Sequence, residues 1–438
     1  MTTVNWIQIL KLKEFQNYFN AHELQQLSMV SNKFRASLIK AIFKTFNFRK
    51  FILYREYYSY FNNKAEYDDL VLITQSVNPY KPLTSDFISS KNTFKLDLKE
   101  FLSYPSQLII SNCYDYSYLL FDVAKPFSNL TNVTISHSQL QFELFQHLLD
   151  SLNYLENVEL LNTKFIQYTQ NSIQTPFNWP NTLKKLKFCY NELGYAFNKE
   201  APIRVSIHGT YKIPMNDLIL SPQKLPNLES FEYSMLGNLT NNDSVFNFLI
   251  LNQQIKQLKI DIDDFDRSLF NSIKLLGNLN HLGLNVIEFG PNEPQVAKLP
   301  VLNTVSHLST SFYYILENRD SIFNMFPNLD SLTVKFDEYT DENVLILISI
   351  FPNIKCLSLN IHYIHTKPNE LTLPKLNNLL RIEFNLFCNI ELNISNIKWN
   401  TETCPNLKLV KFTKLDDDIP FKEPQLNLRM ENDWKIAN

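Results

Sequence analysis

The 438-residue sequence predicts an α/β solenoid, in which short repeated units stack so that their strands form one long parallel sheet. The first observation behind this prediction is a recurring turn signal. Five Pro-Asn pairs lead, within two residues, into an apolar residue and then an apolar–polar–apolar run that is typical of a short half-buried strand. They are Trp179-Pro180-Asn181, Leu225-Pro226-Asn227, Phe326-Pro327-Asn328, Phe351-Pro352-Asn353 and Cys404-Pro405-Asn406.

The second observation is a regular period. Apolar anchor residues begin successive units at Leu130, Leu155, Leu183, Leu228, Ile255, Leu279, Leu302, Leu329, Ile354, Leu379 and Leu407. Most neighbouring anchors lie 23 to 28 residues apart, and the single gap of 45 is about two periods. We assign Val205 and Ile207 to a strand inside that gap and Leu108 and Ile110 to the first unit. The sequence thus predicts about thirteen units.

The spacing inside each unit identifies the kind of repeat. Apolar residues at positions one, four and six of a unit this long are the leucine-rich-repeat pattern. The unit that begins Leu155-x-x-Val158-x-Leu160 continues with Asn162, which we interpret as the asparagine step of such repeats. Most other units lack this asparagine, so we expect their inner turns to be stabilised differently.

The segments between strands predict helices. Asp341 to Phe351 has apolar residues at helical spacing, with Asp341 as the expected N-cap. The same spacing appears at Leu144, Leu148, Leu149 and Leu152, and at Val245, Leu249 and Ile250 after Asp243. A helix in each unit favours the longer, ribonuclease-inhibitor-like form, a horseshoe with a concave parallel sheet and convex helices.

Residues 1–50 follow a different pattern, with apolar residues at helical spacing. Asn20 interrupts the pattern as a candidate N-cap, which predicts three short helices. Phe46, Phe48, Phe51 and Leu53 then predict a strand, and residues 54–100 read as a polar, aromatic-rich connection.

The second half of this helical segment resembles an F-box. Tyr18-Phe19, three residues, Glu23-Leu24, then Leu27, Val30, Ser31, Lys33, Phe34 and Arg35 follow the family pattern. Glu23 stands where the family usually has Asp, and Phe34 where it has Trp. Where the family has Leu-Pro followed by Glu, this chain has Ile7-Gln8-Ile9-Leu10. The resemblance covers about a tenth of the chain.

The resemblance implies a role in protein degradation. F-box proteins with such repeats are substrate-recognition subunits of cullin-based (SCF-type) ubiquitin ligases. The adaptor-binding residues implied here are Ile7, Leu10, Phe15, Phe19, Leu24, Leu27, Val30 and Phe34. The alternatives are a helical cap that shields the first repeat, and a repeat scaffold for protein interactions unconnected to ubiquitin.

Composition limits the other function classes. The formal charge is −3 and the pI about 6.3, so no basic field indicates nucleic acid or an anionic membrane as a partner. The five cysteines are spread apart and odd in number, which indicates reduced thiols. No signal peptide is visible, and the longest apolar run, 344–351, is too short to span a bilayer. These features predict a cytoplasmic or nuclear protein.

Motifs that carry chemistry are not recognisable. Six glycines form no phosphate-binding or dinucleotide-binding loop. His362 and His365 lack a third metal ligand. The run Asp261, Asp263, Asp264 and Asp266 lacks the glycine and distal glutamate of a calcium loop, and reads better as an acidic strand end. We therefore predict no catalytic residue, metal or cofactor, and no enzyme activity.

Strand alternation predicts which side chains line the concave face. The charged or titratable positions are Glu159, Lys185, Lys187, Glu232, Lys259, Asp261, His281, Lys335, Arg381, Glu383 and Lys411, and the uncharged ones include Cys189, Gly283 and Ser358. Charges of both signs alternate with small polar residues, which favours a protein partner. A solvated sheet with no partner is the alternative.

The predicted organisation has four parts. They are an F-box-like helical domain at 1–50, a connecting segment with the first capping repeat at 51–104, leucine-rich repeats at 105–415, and a tail at 416–438 that either covers the last unit or frays.

Overall fold

The computed structural model of the chain describes residues 8–9, 12, 16, 19, 21–54, 85–99, 104–113, 120, 127, 129–168, 177–196, 215–235, 243–264, 267–288, 300–338, 341–363, 370–371, 377–387, 398–399, 405–415 and 426–429. The chain divides into two compact units, Met1–Leu228 (unit 1) and Glu229–Asn438 (unit 2), and each is described by itself. The four domain boundaries given above remain predictions. Within the described residues, no helix is both long and apolar enough to cross a membrane.

Unit 1 contains both helices and strands. Its helices are α1 (Ala21–Met29), α2 (Asn32–Ile42), α3 (Phe48–Tyr54), α4 (Ser85–Lys99) and α5 (Phe142–Ser151). Its strands are β1 (Thr45–Asn47), β2 (Gln107–Ser111), β3 (Asn132–Ser136), β4 (Gln139–Gln141), β5 (Asn157–Leu161), β6 (Lys164–Tyr168), β7 (Lys185–Cys189), β8 (Glu192–Ala196) and β9 (Met215–Asp217).

The first two helices form a small packed body. Leu24 of α1 and Leu38 of α2 are buried against each other, and further apolar side chains pack around them. Ser31 is the N-cap of α2, since its Oγ accepts a hydrogen bond from the backbone N–H of Phe34 at 3.1 Å. The third predicted helix and the predicted cap Asn20 lie outside the described residues.

The segment after the helix pair differs from its prediction. Phe46 lies in β1 as expected, but Phe48 and Phe51 belong to α3 rather than to a strand. Asn47 ends the strand, because its side-chain Oδ1 accepts a hydrogen bond from the backbone N–H of Lys50 at 2.9 Å and so starts a helical turn. Phe48 and Ile52, four residues apart, are then both fully buried.

Helix α4 falls in a segment that we predicted to be a connection. Its buried residues Phe94 and Leu98 also lie four residues apart. The Phe94 ring packs edge-on against Phe48 and Phe51, with centroid distances of 6.2 and 5.9 Å. This helix is difficult to predict from the sequence, because most of its residues are polar and its apolar residues form only a narrow stripe.

Strands β1, β2, β3, β5 and β7 pair in parallel and in register. Their side chains alternate, so that the second and fourth residues of each full strand are buried and the first and third are half-exposed. A second, smaller sheet has the order β4-β6-β8-β9, and its strands β4, β6 and β8 each follow one strand of the first sheet along the chain.

Unit 2 repeats the same plan. Its helices are α6 (Asp243–Leu251), α7 (Arg267–Lys274), α8 (Phe312–Glu317), α9 (Arg319–Met325) and α10 (Asp341–Ile350). Its strands are β10 (Ser230–Ser234), β11 (Gln257–Asp264), β12 (His281–Glu288), β13 (His307–Ser311), β14 (Ser331–Glu338), β15 (Cys356–Tyr363), β16 (Glu370–Leu371), β17 (Arg381–Phe387), β18 (Lys398–Trp399), β19 (Leu409–Leu415) and β20 (Leu426–Arg429).

The main sheet of unit 2 is parallel except at its last strand. Strands β10 to β15, β17 and β19 pair in register, and β20 pairs antiparallel with β19. Within the predicted tail, β20 therefore covers the edge of the last repeat strand. An antiparallel final strand ends the row of parallel pairing.

A shared carbonyl fixes the start of each strand. The carbonyl of Ser106, just before β2, accepts hydrogen bonds from two successive N–H groups of the next repeat, at Thr131 (2.9 Å) and Asn132 (3.1 Å). In unit 2 the carbonyl of Lys256 accepts from Asn280 (2.9 Å) and His281 (3.2 Å) in the same way. Both units are therefore arrays of leucine-rich repeats, which confirms the predicted solenoid in its coarse form.

One predicted anchor is wrong. The anchor of the repeat that contains β13 is Val305, which is fully buried, and not Leu302. The backbone N–H of Val305 bonds to the carbonyl three residues before it, as the N–H of Leu279 does in the preceding repeat. Thr310 occupies the core position that is apolar in most repeats, and this polar residue obscures the register of the repeat in the sequence. The predicted strand at Val205 and Ile207 lies outside the described residues.

The Pro-Asn junctions are turns, as predicted, and their asparagines also connect neighbouring repeats. Asn227 Nδ2 donates to the carbonyl of Asn181 at 2.8 Å, and Asn328 Nδ2 donates to the carbonyl of Asn303 at 2.8 Å. Asn406 bonds to the carbonyl of Asn377 in the same manner. These exposed amides form a second set of contacts between repeats, beside the sheet.

The predicted asparagine step is displaced by one residue. Asn162 is exposed, has a positive φ of 47°, and its Nδ2 lies 3.1 Å from Nδ1 of His137. The buried ladder is formed by the following residue in each repeat, namely Cys113, Ser138, Thr163 and Asn191. Asn191 accepts from the N–H of Thr163 at 3.1 Å and donates to the carbonyl of Leu160 at 3.2 Å.

Unit 2 stabilises the same region differently. Several of its strands continue for about three residues beyond the repeat core, and their pairing continues to Asp264–Glu288 and Glu338–Tyr363. Hydrogen bonds between the extended backbones thus satisfy the polar groups after these strands, as the side chains of the buried ladder do in unit 1. This agrees with the expectation that most inner turns are stabilised without asparagine.

The three best-defined predicted helices are present. Phe142–Ser151 buries Leu144, Leu148 and Leu149. Asp243–Leu251 buries Val245 and Leu249, while Asp341–Ile350 buries Val344 and Leu347. Asp341 is the first helical residue rather than the cap, a shift of one position that is common at helix ends.

We predict that the buried ladder of unit 1 is important for stability. Asn191→Leu keeps the size of the side chain but leaves the Thr163 N–H and the Leu160 carbonyl without partners. We expect it to lower the free energy of unfolding by about 2–4 kcal/mol. Chemical denaturation followed by circular dichroism measures the change. The matched control is Asn162→Gly, which we expect to change the free energy by less than about 0.5 kcal/mol. Equal losses in the two variants would contradict the ladder.

Candidate interaction face

The polar side of the strands is the candidate functional surface in each unit. It is formed by the first, third and fifth residues of the strands, and we call it the polar face. Within the described residues, no group of three or more His, Cys, Asp or Glu could hold a metal ion. His365 and Asp266, each part of a cluster considered above, lie outside those residues. The lack of enzyme activity remains a prediction.

In unit 1 the polar face carries matched charges. Lys185 Nζ lies 2.7 Å from Glu159 Oε1, and both side chains are half-exposed. Lys187 is in register with Glu159 on the neighbouring strand. Asn157 on β5 donates a hydrogen bond to Asn132 on β3. The predicted face residue Cys189 is instead buried.

A similar pair marks one side of the polar face in unit 2. Lys259 Nζ lies 2.8 Å from Glu232 Oε1. The stem of Lys259 lies over Gly283 on β12, where an added Cβ would be 2.8 Å from the Lys259 Cγ. Glycine at this position therefore leaves room for the stem of Lys259. Asp261, also predicted on this face, is half-buried.

Two histidines stack on the adjacent strands. The rings of His281 on β12 and His307 on β13 have centroids 3.9 Å apart and an interplanar angle of 11°. His307 Nε2 is also 3.1 Å from Thr333 Oγ1 on β14. The predicted concave face includes His281 but not His307, because the wrong anchor shifts that repeat out of frame. Counting back from the histidine-leucine pairs at 281–282 and 307–308 would have found it.

The environment keeps these imidazoles neutral. Burial lowers the pKa of His281. Burial and the neighbouring His281 lower the pKa of His307 to about 4, although the carboxylate of Asp330 acts in the opposite direction. A neutral stacked pair avoids the repulsion that two protonated rings would suffer.

On β14, β15, β17 and β19 the polar face of unit 2 carries polar side chains, and some of its charges are paired. Arg381 and Glu383 form an ion pair on β17. Asn385 Nδ2 donates to Ser358 Oγ at 3.0 Å and to Asn360 Oδ1 at 2.7 Å. Lys411 on β19 is in register with Glu383. Lys335 on β14 is in register with Ser311 and Asn360, neither of which is charged.

The residues predicted to bind an adaptor have two kinds of environment. Ile7, Leu10 and Phe15 lie outside the described residues. Leu24 is buried in the core of the helix pair, and Phe19, Leu27 and Phe34 pack around that core. Val30 is 69% exposed. Neighbouring Met29, which the sequence analysis did not name, is 64% exposed.

Comparison with known proteins adds little to this description. No family model and no curated protein matches the chain. A similar solved structure is described as the crystal structure of a TLR13–ssRNA13 complex, with 14% sequence identity and a TM-score of 0.35. The match covers 72% of this chain and 53% of that one, so this chain spans about half the length of that structure.

We predict that His307 makes the stability of unit 2 sensitive to acid. Its folded-state pKa of about 4 lies below the ordinary value of 6.5, so the unfolded chain binds more protons between these values. The stabilisation that comes from burying neutral His307 is therefore fully present above pH 6.5 and is lost as the pH falls towards 4. Thermal melts between pH 7.5 and 4.5 should show a smaller acid-induced fall in Tm for His307→Gln than for the unchanged chain.

The control for this measurement is His22→Gln, because the His22 side chain on α1 is exposed. We expect His22→Gln to keep the full acid-induced fall in Tm. The same fall in the His307→Gln variant would show that burial of His307 does not contribute.

Proposed function

We propose that this chain is the substrate-recognition subunit of a cullin-based ubiquitin ligase. In this proposal the helix pair α1–α2 binds the ligase adaptor, and the polar face of the repeats binds a protein substrate. The observation that carries the adaptor half is the exposed apolar corner between the two helices, formed by Met29 and Val30. The other described apolar residues of the F-box-like motif pack inside the pair, so they support this corner rather than contact a partner.

The helix pair is joined directly to the repeats. Strand β1 begins three residues after α2 ends and pairs with β2, with Thr45 opposite Gln107. The carbonyl of Lys44 accepts hydrogen bonds from the N–H groups of Ser106 and Gln107 at 2.9 and 3.1 Å. A short, hydrogen-bonded junction of this kind suits a protein that holds two partners at a fixed separation.

The composition of the polar face supports the substrate half. Most of its described charges are paired across or along the strands, and the remaining side chains are hydroxyls, amides and imidazoles. Protein interfaces are depleted of unpaired charge at their centres, whereas nucleic acid binding requires several cations together. The proposed role belongs to the cytoplasm or the nucleus.

A second candidate function is a repeat scaffold that binds a protein partner without any link to ubiquitin. The chain has Ile7 and Gln8 where the F-box family has Leu-Pro. The end of the helix pair also packs on the repeats, since the rings of Phe43 and Tyr104 lie 6.2 Å apart. A helical cap that shields the first repeat would have the same contact.

The adaptor half can be tested at the exposed corner. We predict that Met29→Ser combined with Val30→Ser weakens capture of the purified ligase adaptor by the full chain by about tenfold or more, because two exposed apolar side chains are lost from the contact. The readout is the adaptor retained at increasing concentration. Both side chains are exposed, so the fold should be unchanged by circular dichroism.

The matched control is Leu345→Ser, which removes an exposed apolar side chain from α10 in unit 2. We expect it to capture the adaptor as well as the unchanged chain does. No adaptor capture by the unchanged chain would leave the scaffold as the better function. Equal capture by all three proteins would reject the Met29–Val30 corner as the binding site.

A further inference from the structure

The shortest side chains of the unit 2 polar face lie side by side on three neighbouring strands. Ser309, Thr333 and Ser358 occupy the same register position on β13, β14 and β15, and all three are half-buried. We call them the hydroxyl row. The longer side chains of Lys259, which lies over Gly283, and Glu383 stand at its two ends.

The dimensions of the row suit an extended peptide. Neighbouring strands lie about 4.8 Å apart, so the distance from β12 to β17 across the row is roughly 19 Å. An extended chain rises about 3.3 Å per residue and covers this distance with about six residues. A hydroxyl can both donate and accept a hydrogen bond, so Thr333 and Ser358 retain capacity for the backbone of such a peptide beside their bonds to His307 and Asn385.

One side of the row is neutral. The stacked rings of His281 and His307 lie one pleat away from it, and His307 is bonded to the hydroxyl of Thr333. Ser331 and Cys356 continue this side on the next two strands. None of these four side chains carries a permanent charge, and Arg381, which continues this side on β17, is paired with Glu383. No unpaired ion on this side therefore attracts an ionic group of a ligand.

The other side carries a cation that the neighbouring strands leave unbalanced. The described lysines of the polar face generally lie beside a glutamate on the next strand, as Lys185 does with Glu159 and Lys259 with Glu232. Lys335 lies beside Ser311 and Asn360 instead, and it makes no ion pair with any side chain that the structure describes. It is two residues from Thr333 on the same strand and therefore on the same face.

We propose that the hydroxyl row binds an extended segment of a partner protein, and that an aspartate or glutamate in this segment pairs with Lys335. This inference rests on the protein-binding function proposed above and adds the chemistry of the partner. The hydroxyls bind the backbone of the segment, and the neutral histidine side leaves Lys335 as the group that fixes where the carboxylate lies. A single unbalanced lysine does not suffice for nucleic acid, which needs several phosphate contacts.

The test uses the full chain and three pools of seven-residue peptides with blocked ends. Six positions vary among glycine, alanine, serine, threonine and asparagine, and the central position is glutamate, glutamine or phosphoserine. We expect the unchanged chain to retain the glutamate pool about two- to fivefold more than the glutamine pool, the range for an exposed ion pair. Lys335→Gln should remove this preference.

Two variants control the result. Lys274→Gln removes an exposed lysine at the end of α7, which is not part of the polar face, and should keep the preference for glutamate. Ser309→Tyr places a bulky ring in the hydroxyl row and should reduce retention of both pools, while circular dichroism checks that the variant is folded. Equal retention of the glutamate and glutamine pools, an unchanged preference in Lys335→Gln, or no retention at all would overturn the proposal. Stronger retention of the phosphoserine pool would indicate that the row binds a phosphopeptide, and would contradict the proposal that a carboxylate pairs with Lys335.

This result is independent of the ubiquitin-ligase assignment. Adaptor capture is measured on the same preparation. Failed capture together with a Lys335-dependent glutamate preference would reject only the ligase role. Successful capture with no peptide preference would reject only the carboxylate segment.

Discussion

The structure depends on one constraint, which is that no strand can bury its apolar side alone. A strand such as Asn132–Ser136 has two buried apolar residues, Val133 and Ile135, and these reach low exposure only because the strands of neighbouring repeats lie on both sides. Among the described residues, the carbonyl before most strands of the main parallel sheet in each unit accepts two N–H groups of the next repeat, which fixes the register residue by residue. Because the pleat has a period of two, the same register that buries one face exposes the other as a continuous polar surface.

The two units meet a second constraint in different ways. The chain must turn away from the sheet after each strand, and the backbone groups at this turn need hydrogen-bond partners. Unit 1 uses a buried ladder of small polar residues, of which Ser138 and Thr163 are examples, preceded by residues with positive φ such as His137. Unit 2 instead extends its strands. The consequence for function is that part of the polar face of unit 2 is built from longer strands, and Thr333, Lys335 and Ser358 lie on two of them, β14 and β15.

The sequence was sufficient to predict the repeat and most of the polar face, because both follow from spacing. The period predicted Leu279, Leu329 and Ile354 as anchors, and all three are buried. Spacing gave a wrong result where a polar residue occupied a core position. Because Thr310 interrupts the apolar pattern, Val305 was not recognised as the anchor, and His307 was not predicted on the polar face. The ladder was assigned to Asn162 rather than Thr163, because asparagine is the more familiar residue at that step and burial cannot be read from one residue type.

The candidate site shows a similar limit. Alternation predicted that Lys259 and Glu232 share the polar face, but not that the lysine lies across Gly283, since this depends on register between repeats. Leu24, Leu27 and Phe34 of the F-box-like motif lie on α1 and α2, yet the motif does not distinguish packed residues from exposed ones. Leu24 supports the helix pair from inside, whereas Val30 and Met29 are the apolar side chains available to a partner.

The central physical claim, that each repeat is held by its neighbour at the start of the strand, can be measured by amide hydrogen exchange on the full chain. The account predicts slow exchange at the paired positions Thr131–Asn132, Glu156–Asn157, Asn280–His281 and Asp330–Ser331, so that protection recurs with the repeat period in both units. Rapid exchange at these amides, or protection without that period, would contradict it.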